Sequence, residues 1–125
     1  MSERLKSIVN GLKIRPDDQV LEIGCGHGVA AGYICDQLGG GRLVAIDRSK
    51  KMIDAAIRRN KQHVDAGKAE FYVADAVSFD PGQRRFDKVL AVRVGLFHRD
   101  PVLVHSLLEK WVRPNGKVTV VYDEP

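Results

Sequence analysis

Glu22 and three glycines at alternate positions, Gly24, Gly26 and Gly28, are the residues of this chain whose types and spacing most directly imply chemistry. They close an apolar stretch, Val20-Leu-Glu-Ile, that reads as a strand, and lead into Val29 to Leu38, which reads as a helix. A strand that stops at glycines and enters a helix brings bare backbone amides and a positive helix end up to a ligand, where side chains would block close approach. Several nucleotide-binding folds use such a first strand-to-helix turn. A dinucleotide fingerprint, however, needs glycine or alanine three residues after its second glycine, and that place is Val29. The Gly-Lys-Ser/Thr ending of a phosphate-binding P-loop is absent as well.

Other chemistry-bearing residues follow at regular intervals. Arg42-Leu-Val-Ala-Ile-Asp47 ends in an acid 19 residues past Gly28, Phe71-Tyr-Val-Ala-Asp75-Ala76 carries another, and Phe86 to His98 carries Arg93 and His98 behind a third apolar run. Together with Glu22-Ile-Gly24-Cys-Gly26-His-Gly28 and the Arg-Pro-Asn-Gly at 113 to 116, these resemble, in order, the motifs of the class I S-adenosylmethionine-dependent methyltransferases. The resemblance covers roughly residues 18 to 123.

That resemblance implies a site. Glu22, Gly24, Cys25, Gly26 and Gly28 would form the cofactor turn. Asp47 would hold the ribose hydroxyls of S-adenosyl-L-methionine, a task suited to a carboxylate at a strand end because charge-assisted hydrogen bonds to a cis-diol are strong. Asp75 would accept from the adenine amino group and the Ala76 amide would donate to the ring, with Arg48 and Met52 covering the adenine face. Arg93 would meet the cofactor through its carbonyl or anchor an acceptor through its side chain. His98 follows the loop where many small-molecule methyltransferases place a histidine, and a neutral imidazole suits the removal of an acceptor proton near neutral pH. His98 and Arg93 are therefore the catalytic candidates, and S-adenosyl-L-homocysteine is the expected product. His27 stands where the family more often has a small polar residue. His63 and His105 read as surface or helix-packing residues, and no spacing suggests a metal site.

The elements that must position these residues alternate between strand and helix, the pattern of a parallel sheet covered on both faces. Ser2 opens a helix through about Leu12 with Leu5, Ile8, Val9 and Leu12 on one stripe, and Pro16-Asp17-Asp18 turns the chain into the first strand. Val20 to Ile23, Leu43 to Ile46 and Val89 to Val92 are apolar runs expected of strands buried on both faces. Gly39-Gly-Gly41 closes the helix after the glycine turn, and Ser49 caps the next, whose buried stripe is Met52, Ile53, Ala56 and Ile57. Asp100-Pro101 starts a further helix that Pro114-Asn-Gly116 ends, and Lys117 to Tyr122 forms the last strand. The expected fold is a Rossmann-like three-layer sandwich with strand order 3-2-1-4-5, and residues 1–125 read as one domain. The resemblance stops after strand five, short of the family's usual hairpin of strands six and seven, so the substrate side is expected to be thinly provided within these residues, either because they are a fragment or because a partner's surface is borrowed.

With 125 residues, 44% of them hydrophobic, the chain can build one core. No apolar run approaches the roughly 18 residues of a membrane span, and Met1-Ser-Glu-Arg-Leu-Lys lacks the form of a signal peptide, so the expectation is a cytoplasmic protein with reduced Cys25 and Cys35. Lysine and arginine number 20 against 16 acids. Lys50, Lys51, Arg58, Arg59 and Lys61 read as a solvated helix face without interleaved aromatics, not as a nucleic-acid surface. The sequences that DNA-amino and cytosine-carbon methyltransferases carry after strand four are missing from Ala91-Val-Arg93-Val, and what remains resembles the broad group acting on small molecules, or on an unassigned substrate. Strand five would lie at the sheet margin with Val118, Val120 and Tyr122 on one face, and a homodimer is expected, formed by edge pairing, by helices packed beside that edge or by exchange of the C-terminal segment. Two other readings stand beside methyl transfer: a non-catalytic cofactor-binding module or subunit, and a nicotinamide oxidoreductase.

Overall fold

The computed structural model describes residues 2–121. The elements run α1 (Ser2–Gly11), β1 (Gln19–Ile23), α2 (Val29–Gln37), β2 (Arg42–Asp47), α3 (Lys50–Arg59), α4 (Lys61–Asp65), β3 (Ala69–Val73), β4 (Phe86–Val92), α5 (Leu96–Arg99), α6 (Pro101–Trp111) and β5 (Val112–Val121). The five strands form one sheet, all parallel, in the order β3-β2-β1-β4-β5, as expected from the sequence.

Alternation along the central strands feeds two cores. Val20, Leu43, Ala45, Ala69 and Leu90 pack under α1, α2 and α3 against Val9, Leu12, Ala31, Ile34, Cys35 and Ile53. Leu21, Ile23, Val44, Ile46, Val89 and Ala91 face the other way, toward Trp111 of α6 and Ala76. Phe79, between β3 and β4, meets the Trp111 ring edge to face with centroids 5.6 Å apart.

Three local expectations need correction. Ile57 is 37% exposed, so the buried stripe of α3 narrows to Ile53 and Ala56 with Met52 half-buried. The helix also stops before Lys61, at Asn60, whose buried side-chain amide donates to the carbonyls of Gly28 and Ala56, each at 3.0 Å. Third, α6 ends at Trp111 and not at residues 114 to 116. Arg113 precedes a proline, which disfavours helical backbone there. Val112 already pairs with Phe86, and Lys117 with Lys88, so residues 113 to 116 bulge out opposite Asp87. The Ser2 side chain and Tyr122 lie outside the described residues.

The amino ends of the strands are stitched by charge. Lys88 and Asp18, both buried, pair at 2.7 Å, and Asp18 also accepts the amide of Arg15 at 2.9 Å. Asp87 accepts the amide of Gln19 at 2.7 Å and the guanidinium of Arg113 at 2.9 and 3.1 Å. Removing one partner of such a buried pair costs about 3 to 5 kcal/mol, because the other charge stays buried and uncompensated. Among the described residues no helix is long and apolar enough to cross a membrane.

Candidate functional site

The opposite, carboxyl ends of the strands surround a cavity of about 460 Å³. It is walled by the turn after β1, the Asp47-Arg48 corner after β2, Ala74 to Val77 after β3, and Val92 to Leu96 with Arg99 after β4. A crevice at this end of a doubly wound sheet is where such folds take their ligands.

The three glycines do three different jobs. Gly24 (φ +77) lies so close to the exit of β4 that a Cβ there would stand 2.9 Å from Val94 Cγ2 and 3.0 Å from the Val92 carbonyl. Gly26 (φ +56) faces the cavity, with open space where its Cβ would be. Gly28 (φ +89) is buried against α3, where a Cβ would sit 2.6 Å from Asn60 Nδ2 and 3.0 Å from Ala56. Gly28 is absent from the cavity wall, so its part is helix packing and not ligand contact. The expectation of bare amides is corrected for four of them. The amides of Gly24 and Cys25 donate to the Ile46 carbonyl at 2.9 and 3.0 Å, that of Gly28 to Cys25 at 3.1 Å, and that of Gly26 to Asp47 Oδ2 at 3.0 Å. The turn thus provides room, while these four donors are used within the protein.

Asp47 is fixed from two sides, since its Oδ1 accepts the Ser49 amide at 2.9 Å while Oδ2 holds Gly26. Ser49 in turn caps α3 by accepting from the Met52 amide at 3.2 Å. Each carboxylate oxygen keeps a second lone pair for a ligand hydroxyl. Glu22 stands in contrast. It is 1% exposed, borders the cavity, and its Oε1 has no hydrogen-bond partner among the described residues. Burial, assisted by the nearby charge of Asp47, pushes its carboxyl up to about 8, so it is mostly protonated at neutral pH.

The remaining expected residues divide. Asp75 and Ala76 border the cavity, but Asp75 Oδ1 already accepts the Ser78 amide at 2.8 Å, and that bond together with one from the Ser78 hydroxyl holds its carboxyl below the ordinary value. Arg48 and Arg93 line the wall, Arg93 in the left-handed region (φ 56) with its amide donating to Val121 at 2.9 Å. Cys25 is buried at the wall, and burial, with the Glu22 and Asp47 charges adding, pushes its thiol well up, which suits a space-filling residue and not a nucleophile. Both cysteines are free. Met52, half-buried one turn into α3, and His98, exposed on α5, are not among the residues that wall the cavity. Instead the wall takes His27, Gly95 and Arg99. Among the described residues no three His, Cys, Asp or Glu side chains gather as a metal site would require.

The sequence pattern of the methyltransferase domain family matches residues 20–116, which contain every wall element except α1. The chain belongs to the methyltransferase domain family. Phosphoethanolamine N-methyltransferase 1 of Zea mays is 31% identical over 122 residues, 95% of this chain but 23% of the maize protein. This methyltransferase domain therefore spans about a quarter of the length of that relative. Among solved structures, the plantazolicin methyltransferase BpumL in complex with S-adenosylhomocysteine superposes with a TM-score of 0.71 at 26% identity, covering 97% of this chain and 45% of that one. The [4+2]-cyclase SpnF reaches a TM-score of 0.78 at 20% identity over 94% of this chain and 43% of its own. That second likeness concerns the fold alone.

Proposed function

We propose that this methyltransferase domain holds S-adenosylmethionine in the cavity and passes its methyl group to a small-molecule acceptor, leaving S-adenosylhomocysteine. The observation that carries the reading is the buried carboxyl of Glu22, one oxygen unpartnered, beside the fixed carboxylate of Asp47 at the end of the neighbouring strand. An orphaned buried carboxyl is costly unless a ligand supplies a donor or a cation. A ligand with an ammonium for Glu22 and a vicinal diol for Asp47 answers both, and the relative in complex with S-adenosylhomocysteine favours the same choice.

When bound, the cofactor supplies a methyl group already activated by a positive sulfur. The chain's residues then have to position and exclude. Asp47 orients the ribose, Arg48 and Ala76 border the base, Asp75 offers its remaining lone pairs to the adenine amino group, and Gly26 leaves space for the backbone to lie against the ligand. Most of the acceleration comes from holding the acceptor nucleophile near attack distance. Since the His98 imidazole lies outside the cavity wall, proximity carries the step in this reading and general-base help is secondary.

A second reading, a module that holds the cofactor while another polypeptide surface completes the acceptor side, is favoured by the exposure of Arg93, Gly95, His98 and Arg99. The oxidoreductase reading loses to family membership. Titration calorimetry with S-adenosylhomocysteine tests both remaining readings at their common point. Micromolar or tighter binding is expected, that is, about −8 kcal/mol or better. Binding in the millimolar range or none removes the proposal, and methyl release to water or to an acceptor panel then separates enzyme from module.

A further inference from the structure

We infer that the acceptor carries a small oxyanion, a phosphate monoester foremost, and that Arg99 is the residue that selects it; this rests on the methyl-transfer reading. The ionisable groups around the cavity are sorted by side. Glu22, Asp47 and Asp75 follow or end β1, β2 and β3, whereas Arg93 and Arg99 follow β4. The acidic side suits the diol, amino group and base of the cofactor. The basic side is left facing whatever approaches the methyl group.

Arg99 is placed there by its own loop. Its Nη1 lies 2.4 Å and its Cζ 3.4 Å from where a Cβ on Gly95 would be, so the guanidinium rests across a glycine. Gly95 has φ −59, a conformation any residue adopts, so the glycine is needed for the space and not for the backbone. The Arg99 amide donates to the Gly95 carbonyl at 2.9 Å, which fixes the start of the side chain. Among the described residues no carboxylate pairs with Arg99, although three border the same cavity. Its planar fork of donors is thus uncommitted, and such a fork matches the two oxygens of a phosphate or carboxylate. Arg93, held at positive φ, borders the cavity on the same side. Arg48 stands on the other side, where its charge acts on Asp75.

The cofactor's own carboxylate is the competing occupant. The whole chain, saturated with S-adenosylhomocysteine, should be titrated with phosphoethanolamine, the compound in the name of the maize relative, and with ethanolamine, which lacks the phosphate. Phosphoethanolamine should bind at least tenfold more tightly. Arg99→Gln should abolish most of that preference, Gly95→Ala should reduce it by displacing the guanidinium, and S-adenosylhomocysteine affinity should stay within twofold in both. Equal binding of the two probes, or a preference that survives Arg99→Gln, overturns the inference. So does an Arg99→Gln that weakens S-adenosylhomocysteine but not 5′-methylthioadenosine, since the guanidinium would then serve the cofactor's carboxylate. Repeating the titration without S-adenosylhomocysteine separates the two claims: a chain that fails to bind that molecule yet keeps an Arg99-dependent preference sinks methyl transfer and retains the anion site.

Discussion

The amide of Gly26 donates to Asp47 Oδ2 at 3.0 Å, which joins the glycine turn after β1 to the acid that ends β2. Because Asp47 also holds the Ser49 amide, one carboxylate sets the spacing of the turn, the ribose acceptor and the start of α3. Asp47→Ala should therefore weaken S-adenosylhomocysteine by about 1 to 3 kcal/mol, the usual cost of leaving polar ligand groups without a partner. Asp47→Asn keeps one acceptor oxygen and should lose less. Calorimetry on both variants checks this, and an unaltered affinity in Asp47→Ala would remove the ribose role.

Glu22 gives a stability prediction whose sign is opposite to that of most acids. In the unfolded chain its carboxyl titrates near its ordinary 4.5, and in the fold near 8. Between those values the folded state holds the extra proton, so rising pH destabilises the empty protein, by at most about 1.4 kcal/mol per pH unit. Glu22→Gln should melt at a higher temperature than the parent at pH 8 and at the same temperature near pH 5. It should also bind S-adenosylhomocysteine more weakly. The parent should release up to about one proton on binding at pH 7, as the ligand ammonium favours the ionised carboxyl. Calorimetry in two buffers of different ionisation enthalpy measures that release, and a value near zero would place Glu22 away from the ammonium.

Gly28→Ala should cost more than Gly26→Ala, although Gly26 is the one that faces the cavity. Both substitutions force an alanine to positive φ, worth about 1 to 2 kcal/mol. Only at Gly28 does the new Cβ also meet Asn60 and Ala56. Denaturant melts should give Gly28→Ala a loss of roughly 3 kcal/mol or more, and similar losses for the two variants would contradict the packing role.

For His98, the position on α5 outside the cavity wall leads to a modest expectation. His98→Ala should keep turnover within about threefold and leave cofactor affinity unchanged. A loss of roughly 100-fold with intact affinity, the size of lost general-base help, would return the imidazole to the acceptor.

At the sheet margin, Val118 and Val120 of β5 are more than a third exposed, the state of an edge strand open to pairing. A homodimer is expected by light scattering at high micromolar concentration. Val118→Lys, a charge on that edge, should shift it toward monomer, and indifference to the substitution would locate any contact elsewhere.

What the sequence makes readable is whatever a short window determines. The glycine turn, the strand alternation, the Ser49 cap and the acid at the end of β2 all follow from neighbours within a few residues. What it hides depends on partners far along the chain. The turn's amides looked available for a ligand because nothing local shows that the Ile46 carbonyl takes two of them. Gly28 looked like a ligand contact because Asn60, 32 residues on, supplies the reason for glycine. Arg99 was missed beside His98 because a residue's side of a four-residue helix cannot be read from periodicity that short.

The buried Lys88–Asp18 pair and the Asp87 stitching lie at the amino ends of the strands, the cavity at the carboxyl ends. Heritable change at Val94 to Arg99 therefore does not touch the polar foundation on which the sheet rests. A lineage can exchange the exposed members of that stretch, Gly95, His98 and Arg99, and acquire a new chemical appetite while Val94, Leu96 and Phe97 keep their places against the core.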